Sequence, residues 1–147
     1  MEIFTIGFTK TTAENFFGRL KSNRIERLLD VRLNNRSQLA GFAKRDDLIY
    51  FLWALVGARY EEAPLLAPSQ DILDRYKKKN AMSWPEYESR FLSLMHERAI
   101  EKNLDPLDFE QQRTVLLCSE ATEHHCHRRL VGDYLAEHWN DVRIVHL

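Results

Sequence analysis

Two apolar segments, Glu2-Ile3-Phe4-Thr5-Ile6-Gly7 and Arg27-Leu28-Leu29-Asp30-Val31-Arg32, flank a capped helical stretch, and this unit constrains the fold more than any other part of the chain. Thr11 with Glu14 three residues on forms a capping-box pattern, and Phe16, Phe17 and Leu20 fall on one helical face that is expected to end near Asn23. Strand, helix and strand within about thirty residues cannot be a hairpin; it is a βαβ unit, whose right-handed crossover makes the strands parallel. A parallel sheet needs helices on both faces. The expectation is therefore one α/β domain over residues 1–147, a three-layer sandwich around a mainly parallel sheet of four or five strands.

The remaining elements follow in order. Leu33 to Lys44 reads as a polar loop leaving the second strand, and Asp46 or Asp47 is expected to cap a helix through Leu48, Phe51, Leu52 and Leu55 that Gly57 closes. Arg59-Tyr60-Glu61-Glu62 is at best a short strand. Helices are predicted over Ser69 to Asn80 and Ser83 to Ile100, the second with Ser83 as N-cap and Pro85 in its first turn. Its Trp84, Tyr87, Phe91, Leu94 and Met95 recur with helical period and read as core. Leu104 to Gln112 is read as a connection, Thr114 to Leu117 as a buried strand, and Val142 to His146 as a last strand. Between those strands Leu130, Val131, Tyr134 and Leu135 mark a helix expected to start near Thr122 or Glu123, with Thr122 as its cap.

Chemistry concentrates in one place. Residues 114–129 hold both cysteines, three of the six histidines and the pair Arg128-Arg129. Arg129 has Asp133 four residues on as a partner, whereas Arg128 has only Gly132 there, which at the end of a parallel strand suits an anion-binding crevice. Cys126, near a helix start and beside histidines, is expected to have a lowered pKa, and Cys118 at a strand end reads as the more buried thiol. Glu120 is the best-placed acid/base group. The phosphatase and sulfurtransferase loops close a cysteine cradle with an arginine five or six positions later; Cys118 precedes Arg128 by ten residues and Cys126 by two, so neither spacing fits. No P-loop, Gly-x-Gly-x-x-Gly or Gly-x-Ser-x-Gly pattern is present, so nucleotide hydrolysis and α/β-hydrolase chemistry lose their usual sequence support, and the cofactor stays unknown. Cys118, His124, His125, Cys126 and His127 are all competent zinc ligands, yet three adjacent residues cannot all face one ion, and no metal ligand is assigned.

Composition adds limits. The net charge is −1, but Arg19 to Arg45 carries eight basic residues against Glu26 and Asp30, a segment suited to a phosphate-rich ligand. The longest apolar run, Ile49 to Ala58, is about half a membrane span, and no basic-then-apolar leader follows Met1-Glu2, so a cytoplasmic chain with reduced thiols and no membrane association is expected.

Several segments together carry a family resemblance: Thr5-Ile6-Gly7, Asp30-Val31-Arg32, the loop from Asn34 to Phe42, Leu116-Leu117-Cys118-Ser119-Glu120, Cys126-His127-Arg128-Arg129-Leu130 and the terminal Val145-His146-Leu147. With these the chain resembles the domain-of-unknown-function 488 family nearly end to end. It departs from many relatives in having Phe8 after the Thr-Ile-Gly segment and Asn34-Asn35 in the loop. The resemblance implies an α/β fold with the motifs gathered at one edge, and no settled activity.

The functional expectation is an enzyme, a hydrolase or transferase, whose substrate is anionic, a nucleotide or nucleic acid being the most concrete form. Glu120, Cys118 and Cys126 are its catalytic candidates, and Gly7, Arg32, Arg36, His127 and Arg128 its substrate-binding ones. The alternatives are a non-catalytic nucleic-acid or nucleotide binding module built on the basic segment, and a zinc-stabilised interaction domain.

Overall fold

A computed structural model of the chain describes residues 1–36, 40–78, 82–120 and 124–147. Five strands, β1 (Glu2–Gly7), β2 (Arg27–Asp30), β3 (Arg59–Glu62), β4 (Thr114–Cys118) and β5 (Arg143–His146), form one all-parallel sheet in the order β3-β2-β4-β1-β5. The helices among the described residues are α1 (Ala13–Ser22), α2 (Arg45–Phe51), α3 (Gln70–Lys77), α4 (Trp84–Glu97), α5 (Ile100–Asn103), α6 (Pro106–Gln111) and α7 (His127–His138). The fold is thus the α/β sandwich the βαβ pattern demands, with the upper number of strands.

Alternation along the strands divides the core. Phe4 and Ile6 of β1, Leu28 of β2 and Val115 and Leu117 of β4 pack with Phe16, Phe17 and Leu20 of α1 and Leu48 of α2. Ile3, Leu29, Leu116 and Cys118 face the other way, onto Ile72 of α3, Tyr87, Phe91 and Met95 of α4, and Leu130, Val131, Tyr134 and Leu135 of α7. Side chains of successive strand residues point to opposite faces, so both layers draw on the same strands.

Local departures from the expectation have simple causes. The cap of α1 is Thr12, whose hydroxyl accepts from the Asn15 amide, while Thr11 takes side-chain bonds from Asn15 and Arg19. Lys44 stands at the N-cap of α2 without a side-chain bond, leaving Asp46 and Asp47 inside the first turn; the helix then widens into a π-turn over Leu52–Val56 and closes at Gly57, φ 76°. The helix expected to reach Ile100 ends at Glu97, because Ala99 takes a left-handed φ of 49° and a separate turn begins. Leu104 to Gln112 is not a plain connection: Asp105 caps α6 by accepting from the Leu107 amide, with Pro106 in the first turn. Ser69 and Ser83 cap α3 and α4 as expected; Asn80 lies outside the described residues.

The topology fixes where a ligand can enter. β2 leads on to β3 across the layer of α2, and its neighbour β4 leads on to β5 through α7 on the opposite layer. Loops leaving adjacent carboxyl ends therefore diverge, and the divergence opens a crevice beside Asp30 and Leu117, which are register partners. No described helix is long and apolar enough to cross a membrane.

Candidate active site

That crevice holds a cavity of about 510 Å³ whose walls are Arg32, Leu33 and Asn34 after β2, Cys118, Ser119 and Glu120 at the end of β4, His125, Cys126 and His127 at the start of α7, and Tyr76, Lys77 and Tyr87 from α3 and α4. Its chemistry centres on a cysteine and a histidine. Cys118 Sγ lies 3.3 Å from His127 Nδ1, and His127 Nε2 lies 2.6 Å from the Val31 carbonyl oxygen. A carbonyl only accepts, so Nε2 carries the hydrogen and Nδ1 is the unprotonated nitrogen; the Cys118 sulfur, 3.3 Å from Nδ1 and 3.9 Å from Nε2, lies against the ring's face, so a turn of the thiol or the ring brings the Nδ1 lone pair onto it. This is the geometry of a thiol beside a base that a third group orients.

The surroundings favour ionising one of the two thiols. Burial alone would raise the Cys118 pKa, but the Cys126 thiol, the charge of Arg128 and the Glu120 and Ser119 amides together hold it below the ordinary value. Cys126 moves oppositely: its bond to Cys118 and its own burial push it well above the ordinary thiol range. The expectation for the two cysteines is reversed. With Cys126 beside it and Arg128 near, Cys118 is the more easily ionised of the two thiols.

Arg128 supplies the cationic field from behind. It is fully buried, and its NH1 donates to the Glu120 carbonyl at 2.5 Å. Its Nε and NH2 have no hydrogen-bond partner among the described residues. Gly7 makes this possible: a Cβ there would stand 1.4 Å from the Glu120 carbonyl oxygen and 2.5 Å from Arg128 NH1. The glycine is required for the close approach of the Glu120 main chain and the Arg128 side chain.

Cys118, Glu120, Cys126, His127 and Arg32 thus share one cavity, whereas Gly7, Arg36 and Arg128 do not line it. Arg32 is no free anion hook: its Nε and NH2 donate to the two Asp30 carboxylate oxygens at 2.8 Å each and its NH1 to the Ala43 carbonyl at 2.7 Å. Arg36 is exposed and borders a separate recess with Asp30 and Glu62. The basic segment is equally dispersed, since Arg27 and Arg32 are buried against acidic partners and Arg45 pairs with Glu62. Arg129 pairs with Asp133, as expected, and also with Glu88. The helix expected to start near Thr122 or Glu123 starts at His127 with Cys126 as N-cap; residues 121–123 lie outside the described residues. The sequence reading missed the Val31 carbonyl, Lys77 and the rings of Tyr76 and Tyr87. Only Lys77 left a trace, as part of a basic run at the end of α3.

The buried ring gives a pH dependence. Burial lowers the His127 pKa below the ordinary imidazole value, and Arg128 reinforces this against Cys126 and the Val31 carbonyl. The unfolded chain takes up the proton below about pH 6.5 while the folded ring refuses it, so this contribution to stability is complete above that pH and is lost as pH falls toward the folded pKa. Relative to the native chain, His127→Gln is expected to flatten the decline of unfolding free energy below pH 6.5, by at most about 1.4 kcal/mol per pH unit. Urea titrations of both chains at several pH values check this.

No curated protein and no solved structure matches the chain. A family model described as "Domain of unknown function DUF488" matches residues 12–135, a stretch that takes in the loop after β2, the end of β4 and the Cys126-His127-Arg128 segment, and leaves out Thr5-Ile6-Gly7 and the terminal Val145-His146-Leu147. The match runs through nearly every wall of the cavity just described and most of the sheet, and the chain belongs to the DUF488 family.

Proposed function

We propose that the cavity is the active site of a thiol-dependent enzyme, a hydrolase or transferase, acting on an anionic substrate. The observation that carries this reading is the contact of Cys118 Sγ with His127 Nδ1 at 3.3 Å, with the ring's other nitrogen committed to the Val31 carbonyl. In such a pair the base removes the thiol proton, and the thiolate attacks the electrophilic centre of the substrate, taking over the transferred group while the leaving group departs with its electron pair. Protonated His127 then lies close enough to return a proton. Glu120, exposed at the mouth, suits proton exchange with solvent or an incoming acceptor.

Three features favour an anion. Lys77 stands on the wall, the buried Arg128 charge acts on both thiols, and Tyr76, Tyr87 and His125 give the cavity an aromatic flank, backed by Trp84, which stacks on both Tyr87 and His125. A phosphate ester carrying a planar group, such as a nucleotide, combines these demands.

Alkylation tests the reading without a known substrate. Iodoacetate is expected to modify Cys118 before Cys126, at a pH below that required by an ordinary free thiol, and faster than neutral iodoacetamide relative to the same two reagents on a free thiol. Inorganic phosphate should slow the reaction, and Cys118→Ser should abolish it. Peptide mapping of the alkylated chain reads all of this. Labelling of Cys126 first, or equal indifference to reagent charge and to phosphate, would defeat the proposal.

A further inference from the structure

We propose that Cys118 Sγ, Cys126 Sγ and His127 Nδ1 form a three-donor site for a thiophilic divalent ion of the zinc class, with the fourth position facing the cavity. The inference rests on the reading of the cavity as a reaction site for an anion but changes the part its residues play: with an ion bound, Cys118 and His127 are ligands instead of nucleophile and base, and the substrate meets the open fourth position.

The donors are nearly in place. The three atoms lie within 4.8 Å of one another, and the Cys118 Sγ to His127 Nδ1 separation is 3.3 Å. Ligands at about 2.3 Å for sulfur and about 2.0–2.1 Å for nitrogen around a tetrahedral ion stand about 3.6–3.8 Å apart, close to the separations found; because the Cys118 sulfur lies against the ring face, the thiol or the imidazole must also turn to bring the Nδ1 lone pair onto the ion. Spacing in sequence obscured this. Adjacent histidines cannot share an ion, but Cys118 comes from the end of β4 and meets Cys126 and His127 at the start of α7.

Three further observations fit a metal. The donors are 3%, 2% and 9% exposed, a dry setting for metal thiolates. His127 gives its other ring N–H to a backbone carbonyl at 2.6 Å, the outer-shell contact that fixes a ligating imidazole with the correct nitrogen inward. All three residues line the cavity, so an ion held by them has one side open to it, and three protein ligands with an open position is the pattern of catalytic rather than structural zinc.

The charges also balance. Each thiol loses its proton to solvent on binding, the two thiolates neutralise the ion, and the Arg128 guanidinium keeps a positive charge close by, with no ion pair among the described residues. An anionic donor atom from the substrate is the natural fourth ligand. A coordinated thiol is deprotonated outright, so the ion would hold Cys118 in the same ionised form that His127 produces in the metal-free pair.

The test is titration of the reduced, chelator-stripped full chain with Co²⁺ alone. One equivalent is expected to bind, with a sulfur-to-cobalt charge-transfer band and tetrahedral visible absorption, protons released on binding, and inorganic phosphate altering the visible bands. Cys118→Ser and Cys126→Ser should each weaken binding by at least about tenfold. The native chain gives a readout that no folding defect can mimic: both cysteines should become resistant to alkylation when Co²⁺ or Zn²⁺ is bound. Absence of a stoichiometric charge-transfer band, or unchanged alkylation with metal present, overturns the site, and rapid alkylation of Cys118 would then leave the thiol-enzyme reading standing. Stoichiometric cobalt whose spectrum ignores phosphate overturns the open fourth position and the anionic-substrate reading with it.

Discussion

Replacing Asp30 by alanine is expected to lower the unfolding free energy by about 3–5 kcal/mol, the usual consequence of stranding one member of a buried ion pair. Asp30 and Arg32 are both almost wholly buried, and the carboxylate accepts from the Arg32 backbone amide, from Arg32 Nε and NH2, and from the Tyr60 hydroxyl at 2.5 Å. Removing it leaves a guanidinium with only the Ala43 carbonyl and a phenol with no acceptor at that position. Val31 lies between the pair, and its carbonyl orients His127, so the same substitution should slow Cys118 alkylation in whatever fraction stays folded. Guanidinium denaturation measures the first effect. The double variant Asp30→Leu with Arg32→Met separates charge from packing: it should recover most of the lost stability, because replacing a whole buried pair by apolar groups is close to neutral. Failure of the double variant to recover would mean that the pair contributes through shape rather than charge.

Gly7→Ala is the second large effect, and it acts on backbone. Over-packing a deformable core costs about 1–3 kcal/mol, but here the added carbon meets a main-chain carbonyl at 1.4 Å, which no rotamer change can relieve. About 3 kcal/mol or more of stability should be lost, or else the chain after Cys118 must move and carry the Ser119 and Glu120 amides away from the thiolate. Thermal melting and the pH dependence of Cys118 alkylation distinguish the two: displacement would raise the thiol's apparent pKa even in a variant that melts normally. Gly18→Ala, on α1 with nothing within 4 Å of its added carbon, is the control: it is expected to gain up to about 1 kcal/mol of stability and to leave the pH dependence of Cys118 alkylation unchanged.

The fold was legible because its strongest signals are local. Period-two and period-3.6 patterns across residues 2–32 specify a βαβ unit, and chirality then dictates a parallel sheet. The additional strand β3 was weak in sequence because it is short and only partly buried at the sheet's edge, so no apolar alternation marks it. Helix starts misled for the opposite reason: Thr11, Asp46, Asp47 and Thr122 have the right chemistry for caps, and which polar group captures the first amides depends on the entering loop. At the site, residue types were informative and pairings were not. The Cys126-His127-Arg128 run announces chemistry, yet that His127 faces Cys118 rather than solvent, that Arg32 is absorbed by Asp30, and that Arg128 works from beneath are consequences of strand order, which brings β2 and β4 side by side from opposite halves of the chain.

The first turn of α7 runs against ordinary helix design. It has no side-chain cap and no acidic residue, and it opens His127-Arg128-Arg129, placing two guanidinium cations at the positive end of the dipole. A sequence optimised for thermal robustness would place aspartate or serine at position 126 and gain about 1 kcal/mol. It would also remove the thiol that helps hold the Cys118 pKa below its ordinary value. Consensus stabilisation of relatives that repairs this turn first therefore alters the surroundings of Cys118 while improving the melting curve, so position 126 is the one to hold fixed in any such engineering.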